Sequence, residues 1–215
     1  MRLKFLPSFV KRRGRITKKQ EQSLKSLPDF SVNTIDDIQS DLKNFNECCL
    51  EIGFGNAEHL VQQALNNLGI LFIGSEVYMS GIGTLVSKIK ENDLKNIKIF
   101  SDDIRLLLDS DPLKIFDSVK IICPDPWPKD RHHKRRLINK DFLNMIHGFI
   151  KESGNLYIST DWENYAASIK NLLESEGLFI ESEKIYLEKN NLTKFEQRGE
   201  LEGRKVFKFN YERSS

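Results

Sequence analysis

An α/β fold, with a mostly parallel sheet, helices on both faces and an antiparallel C-terminal edge, is predicted by three features of the chain. Short apolar runs alternate with stretches of helical periodicity from residue 48 onward. Successive apolar runs end in an acidic residue, and the last two strand patterns follow each other without a helical pattern between them. Strand alternating with helix implies parallel pairing with crossovers on both faces.

The elements follow in order. Residues 1–20 hold eight basic side chains (Arg2, Lys4, Lys11, Arg12, Arg13, Arg15, Lys18, Lys19) and no acid, so residues 1–30 read as a basic arm and 31–215 as one domain. After a polar helical stretch, "CCLEIGFG" (48–55) reads as a strand closed by glycines and "NAEHLVQQALNNLG" (56–69) as an amphipathic helix. "ILFIGSE" (70–76) is a buried strand and "SGIGTLVSKIKEN" (80–92) the next helix. "NIKIFSDD" (96–103), "SVKIICPD" (118–125) and "GNLYISTD" (154–161) repeat the strand plan. "KDFLNMIHGFIKES" (140–153) and "WENYAASIKNLLESEG" (162–177) have helical spacing, and "TDWE" sets Thr160 and Glu163 at the spacing of a capping box. "LFIESEKIYL" (178–187) and "KVFKFNYER" (205–213) close the sheet as strands.

Composition excludes several classes. The apolar run "LGILFIG" is far shorter than the roughly 18–20 residues that span a bilayer. Cys48, Cys49 and Cys123 lie in apolar segments without CxxC spacing, which points to buried reduced thiols and a cytoplasmic protein. His59, His132, His133 and His147 have no partner at a recognised metal spacing, so no metal is expected. Net charge is only +2, yet residues 129–140 add six basic side chains (Lys129, Arg131, Lys134, Arg135, Arg136, Lys140) against Asp130 alone. Two basic patches on an otherwise acidic body are the footprint of a polyanionic partner.

In open parallel sheets, ligands bind beyond the C-terminal strand ends. Those ends carry Glu51 with Gly53 and Gly55, then Glu76, Asp103, Asp125 and Asp161. "GFGNAE" is a glycine turn between strand and helix, and Glu76 stands at the usual distance for an acid that grips a ribose diol. This geometry alone admits NAD as well as S-adenosylmethionine. The acids favour the latter: Glu51 and Asp125 would repel a pyrophosphate but stabilise an ammonium and a sulfonium. Glu76 is then expected on the ribose hydroxyls and Asp103 near the adenine amine.

Taken together, "PSFVKRRGRITKKQ", "EIGFGNAEHL", "GSEVYMSGIGTLVSKI", "CPDPWPKDRHHKRRL", "STDWENYA" and "TKFEQRGE" resemble the bacterial tRNA (guanine-N(7)-)-methyltransferases of the TrmB type. The resemblance covers nearly the whole chain and is most specific at residues 123–137. It implies a Rossmann-like class I S-adenosylmethionine-dependent methyltransferase that modifies nitrogen-7 of a guanine in the variable loop of tRNA. It further implies that Glu51, Glu76, Asp103 and Asp125 contact S-adenosylmethionine, with Asp125 also catalytic. Lys129, Asp161, Thr193, Lys194, Phe195 and Glu196 would contact the RNA. Two departures stand out: Ala57 occupies a frequent glycine position, and "GSEVYMSGIG" varies a more usual "GIEVH". The basic arm matches the family's own N-terminal segment, which disfavours an organelle transit peptide, the other reading of an Arg-rich leader.

The chemistry agrees with the resemblance. Nitrogen-7 of guanine carries a free lone pair in the neutral base, so no strong base is required; the ring gains a positive charge that a nearby carboxylate stabilises. Pro124, Pro126 and Pro128 are expected to stiffen the turn bearing Asp125. Trp127 either stacks on a base or packs that turn, the following Lys and Arg residues bind phosphates, and His132 and His133 hydrogen-bond their neighbours. Two alternatives remain: methylation of an exocyclic amine, since "PDPW" distantly resembles [DN]PP[YFW], and a non-catalytic RNA-binding protein on the same scaffold.

Overall fold

Strands pair in the order β3-β2-β1-β4-β5-β7-β6, parallel from β3 through β5 and antiparallel across β5-β7-β6. This is the arrangement in a computed structural model that describes residues 5–10, 16–183, 201, 203 and 205–214. The strands are β1 (Glu47–Ile52), β2 (Ile70–Ser75), β3 (Ile97–Phe100), β4 (Phe116–Ile122), β5 (Ile150–Thr160), β6 (Phe179–Glu181) and β7 (Phe207–Arg213). The order reverses between β1 and β4, so their C-terminal ends open a crevice.

The two-residue period of a strand sends neighbouring side chains to opposite faces. In β1, Cys48, Leu50 and Ile52 enter the larger core, with α2 (Ile35–Leu42), α5 (Ile104–Leu107), α6 (Lys140–His147) and α7 (Glu163–Glu176). Cys49 enters the second core, under α3 (Glu58–Asn66) and α4 (Met79–Glu91). Burial raises the pKa of the Cys48 and Cys49 thiols, and none of the three cysteines is in a disulfide. α1 (Lys18–Leu24) begins with a complete capping box between Thr17 and Gln20 and lies on α4, where Gln20 donates to Thr84.

Two local expectations are corrected. The helix foreseen over residues 140–153 ends at His147, and Ile150 already pairs with Phe116. The apolar side chains of "FI" at 149–150 are drawn into the sheet core, and Gly148 caps the helix. The capping box foreseen in "TDWE" does not form: α7 starts two residues later than that box requires, with Trp162 at its N-cap, and Thr160 Oγ1 instead accepts from the Trp162 N–H at 3.3 Å. The strand pattern at 178–187 is observed over Phe179–Glu181, and the rest of it lies outside the described residues. Among the described residues, no helix is long and apolar enough to cross a membrane.

Candidate active site

At the end of β1 the chain turns through Gly53 and Gly55, both with positive φ (75° and 55°), into Ala57 at 64°. Gly55 is also crossed closely by α4: a Cβ on Gly81 would lie 2.3 Å from the Gly55 carbonyl oxygen. Glycine at 81 therefore allows the helix after β2 to seat against the turn. This explains the first glycine of "SGIG" physically.

Glu76, next after β2, ties this turn to its own loop. Its Oε2 accepts from the Gly55 N–H at 2.9 Å, and Oε1 accepts from the N–H groups of Val77 (2.7 Å) and Tyr78 (3.0 Å). The carboxylate is buried, and burial raises its pKa against the lowering effect of those three N–H groups. Held by these backbone donors, the carboxylate lines the crevice in a fixed position.

Asp103, N-cap of α5, is also buried. Its Oδ1 accepts from Arg105 Nε at 2.9 Å and its Oδ2 from the same guanidinium at 2.7 Å. Arg105 in turn donates to the Leu6 carbonyl at 3.0 Å and lies 3.9 Å above the Phe5 ring. Two further side chains grip the same N-terminal segment. Trp127 Nε1 donates to the Ser8 carbonyl at 2.9 Å, and the Tyr78 hydroxyl donates to the Val10 carbonyl at 3.1 Å. Residues 5–10 thus form a strap across three strand ends, held through alternate main-chain carbonyls.

The turn after β4 is strained at two non-glycine positions, Cys123 (φ 47°) and Trp127 (φ 46°), which bracket Pro124, Asp125 and Pro126. Arg136 holds it from behind. Its Nε donates to the Pro126 carbonyl at 2.9 Å, its other guanidinium nitrogen donates to Asn164 Oδ1 at 2.8 Å, and the group lies 4.7 Å from the Tyr165 ring centre. Arg136 is buried, so it is not one of the phosphate contacts expected of the basic run. Lys140 pairs with Glu176 at 3.0 Å, while Lys129, Arg131 and Lys134 are exposed.

Two cavities meet at Asp125 and Tyr78. The first, about 240 Å³, lies over the glycine turn between Glu76, Asp102, Asp103 and Asp125, with Ser8 and Phe9 of the strap forming part of its wall. Ile52, Val77, Ile104, Ile122 and Leu137 give it apolar sides, and no Lys, Arg or His lines it among the described residues. Acid at the ends and apolar sides fit a ligand with positive groups, a diol and a flat ring, as S-adenosylmethionine has. The second cavity, about 500 Å³, is walled by Val10, Tyr78, Asp125, Trp127, Lys129 and His132. Partial desolvation, followed by the neighbouring cations Arg131, Arg135, Lys129 and Lys134, lowers the pKa of His132.

The structure brings Gly53, Gly55, Glu76, Asp103 and Asp125 to the first cavity, and Asp125 and Lys129 to the second. Glu51 is placed elsewhere. It faces the α3 side of the sheet, buried, with Oε2 2.7 Å from His59 Nδ1. Asp161 follows the end of β5 and lines neither cavity. Thr193, Lys194, Phe195 and Glu196 lie outside the described residues. Sequence reasoning missed Asp102, Tyr78, Ser8, Phe9 and Arg105. The repeated acid in "SDD" was a signal for Asp102; nothing local marked the strap, whose contacts span some hundred residues.

The reversal of strand order, the glycine turn and the acid-walled cavity above it define a class I S-adenosylmethionine-dependent methyltransferase. Residues 46–209 match the family model described as "Putative methyltransferase". The chain belongs to the tRNA (guanine-N(7)-)-methyltransferase family. It is 38% identical over 215 residues to the enzyme of that name from Nitrosococcus oceani, covering 97% of this chain and 91% of the relative. The one from Legionella pneumophila is 36% identical over 214 residues, covering 94% and 90%. Among solved structures, the 16S rRNA methyltransferase KamB superposes with a TM-score of 0.62 at 13% identity, covering 84% of this chain and 94% of that one. The Aquifex aeolicus tRNA (m1A58) methyltransferase TrmI gives 0.52 at 18% identity, covering 84% and 68%. These two share the fold.

Proposed function

We propose that this protein transfers a methyl group from S-adenosylmethionine to nitrogen-7 of a guanine in the variable loop of tRNA. The single observation that carries the reading is the meeting of two cavities at Asp125, within a chain of this family. One cavity suits the methyl donor; the other, bordered by exposed basic residues, suits a base on a polyanion.

In the first cavity Glu76 accepts from the ribose hydroxyls, Asp103 lies toward the adenine, and Gly53 and Gly55 let the backbone approach the methionine part. Glu51 contributes negative charge from beneath the glycine turn, with His59 fixing its direction. In the second, Lys129 and the basic run contact phosphates. Asp161 and the segment Thr193, Lys194, Phe195, Glu196 complete the hold on the RNA, together with the basic residues of the 1–30 arm.

Bound S-adenosylmethionine supplies an electrophilic methyl group. Guanine N7 has a free lone pair in the neutral base, so accepting that methyl group would require no residue of this chain to remove a proton first. Asp125, between the two cavities, orients the guanine and stabilises the positive charge that grows on the ring, while the paired donors of the guanine Watson-Crick edge suit Asp125 or Asp161. The turn geometry set by Arg136, Pro124 and Pro126 keeps the carboxylate in place before the base arrives. A cytoplasmic location accords with the tRNA substrate.

The test is nucleoside mass spectrometry of unmodified tRNA after incubation with the protein and S-adenosylmethionine, with the site mapped by reduction and aniline cleavage. The expected product is 7-methylguanosine in the variable loop. A methylated exocyclic amine, or binding of tRNA without transfer, would overturn the reading.

A further inference from the structure

Trp127 presents a choice between packing its own turn and serving the substrate, and the structure separates the two. Trp162 packs on the large hydrophobic core, whereas Trp127 belongs to none of the hydrophobic clusters and remains half-buried. Its ring lines the second cavity two residues from Asp125. Its main chain sits at φ 46°, a strained conformation for a bulky aromatic residue. Strain of this kind persists only where the surroundings fix it.

The surroundings do fix the ring. Nε1, its one polar atom, is satisfied by the Ser8 carbonyl at 2.9 Å. The His132 ring meets it nearly perpendicularly, 89° at 5.7 Å, and the Arg135 guanidinium carbon lies 5.1 Å from its centre. Arg135 does not line the cavity, so it covers a part of the indole turned away from that space. Trp127 thus lines the cavity beside His132 with its one polar atom already met by the strap.

We propose that Trp127 is the platform on which the target guanine stacks while it is methylated. The proposal rests on the guanine reading above and adds a substrate-contacting residue to it. Stacking on an aromatic face is tolerant of base identity, so Trp127 holds the plane of the base while Asp125 orients it. The indole also acts on the rate. Methylation turns a neutral ring into a cationic one, and a cation is attracted more strongly by the indole π-face than the neutral base is. The platform therefore favours the transition state over the bound substrate.

Single-turnover methylation at saturating tRNA and S-adenosylmethionine, measured for W127F and W127L, tests this. W127F keeps an aromatic face and should remain within about 5-fold of the wild-type rate, while W127L should fall by roughly 30-fold or more. S-adenosylmethionine affinity, measured by calorimetry, should fall to a similar extent in both, since both lose the Nε1–Ser8 bond to the strap that walls the cofactor cavity, so only the rates at saturating cofactor separate the two variants. If Trp127 only ties down the strap, both variants lose the Nε1–Ser8 bond and both rates fall alike. That result, or a wild-type rate in W127L, overturns the proposal. Should W127L not fold by thermal melting, W127M takes its place under the same criteria. Product identity is read separately: equal rates across the variants with 7-methylguanosine formed sink only the platform, whereas absence of 7-methylguanosine from the wild-type reaction sinks the guanine reading.

Discussion

Arg136 holds the carbonyl of Pro126 at 2.9 Å, one residue beyond Asp125, from a buried position without a carboxylate ion pair among the described residues. A buried guanidinium is costly unless its donors are met, so its place behind the turn is where its charge and hydrogen bonds act. Arg136→Ala leaves the Pro126 carbonyl and the Asn164 amide oxygen without this donor. A loss of about 1–3 kcal/mol in unfolding free energy is expected, read from denaturant titration. Arg136→Lys, which lacks the planar fork, should recover only part of it.

Asp125→Asn preserves shape and removes charge. Turnover should fall by about 100-fold or more, as on loss of a preorganised electrostatic group, with much less effect on tRNA affinity. Single-turnover rates beside filter-binding constants separate the two.

Glu76→Ala should weaken S-adenosylmethionine binding by about 1.5–3 kcal/mol, the worth of hydrogen bonds to a charged group. pH adds a second signature. Burial raises the Glu76 pKa, so the folded protein binds this proton more tightly than the unfolded chain. Acid between the ordinary and the raised value therefore stabilises the ligand-free fold through this group, and that contribution is lost as pH rises through the raised value. Cofactor binding has the opposite sign, because ribose hydroxyls need an ionised acceptor. Affinity should decline on acidification at a pH above the ordinary carboxylate range, and Glu76→Gln should abolish that decline. Calorimetry across about pH 5 to 8 distinguishes them.

The arm has two separable duties. Replacing Lys11, Arg12, Arg13 and Arg15 with alanine should flatten the salt dependence of tRNA binding by somewhat under one log-log unit for each phosphate no longer neutralised, and leave S-adenosylmethionine affinity intact. Deleting residues 1–10 should weaken S-adenosylmethionine instead, because Ser8 and Phe9 are removed from its cavity wall. An unaltered cofactor affinity in the deletion would argue that the strap does not close that cavity.

Ala57 holds a left-handed conformation at φ 64°, which a side chain with a Cβ rarely adopts. Ala57→Gly should raise stability by roughly 1 kcal/mol by relieving the Cβ clash, within the limit set by glycine's greater entropy when unfolded. Thermal unfolding of the two proteins side by side measures it.

Much of this architecture could be read from residues close together in the chain. Alternation of apolar runs marked the strands and, through the acids at their ends, pointed to Glu76, Asp103 and Asp125. Strand period also bears on Glu51: it shares the side of Cys49, under α3, and so is carried away from the cavity. Residues 149–150 misled because a helical pattern and a buried strand start look alike over four residues, and only the pairing of Ile150 with Phe116 decides. Arg136 was counted with its basic neighbours because charge is visible in a sequence and burial of that charge is not. The strap lay beyond local reasoning altogether, since Ser8 and Trp127 meet only after the whole sheet has formed.

The donors that hold the strap, Arg105, Trp127 and Tyr78, take only carbonyl oxygens from it, at Leu6, Ser8 and Val10. Every amino acid offers that acceptor, proline included, so the latch responds to the path of the chain and is indifferent to its lettering. A substitution at residue 6, 8 or 10 leaves each of these three bonds its acceptor, whereas loss of Arg105, Trp127 or Tyr78 removes a bond outright. Covariation, if sought here, belongs between donor loops and strap length, not between paired side chains.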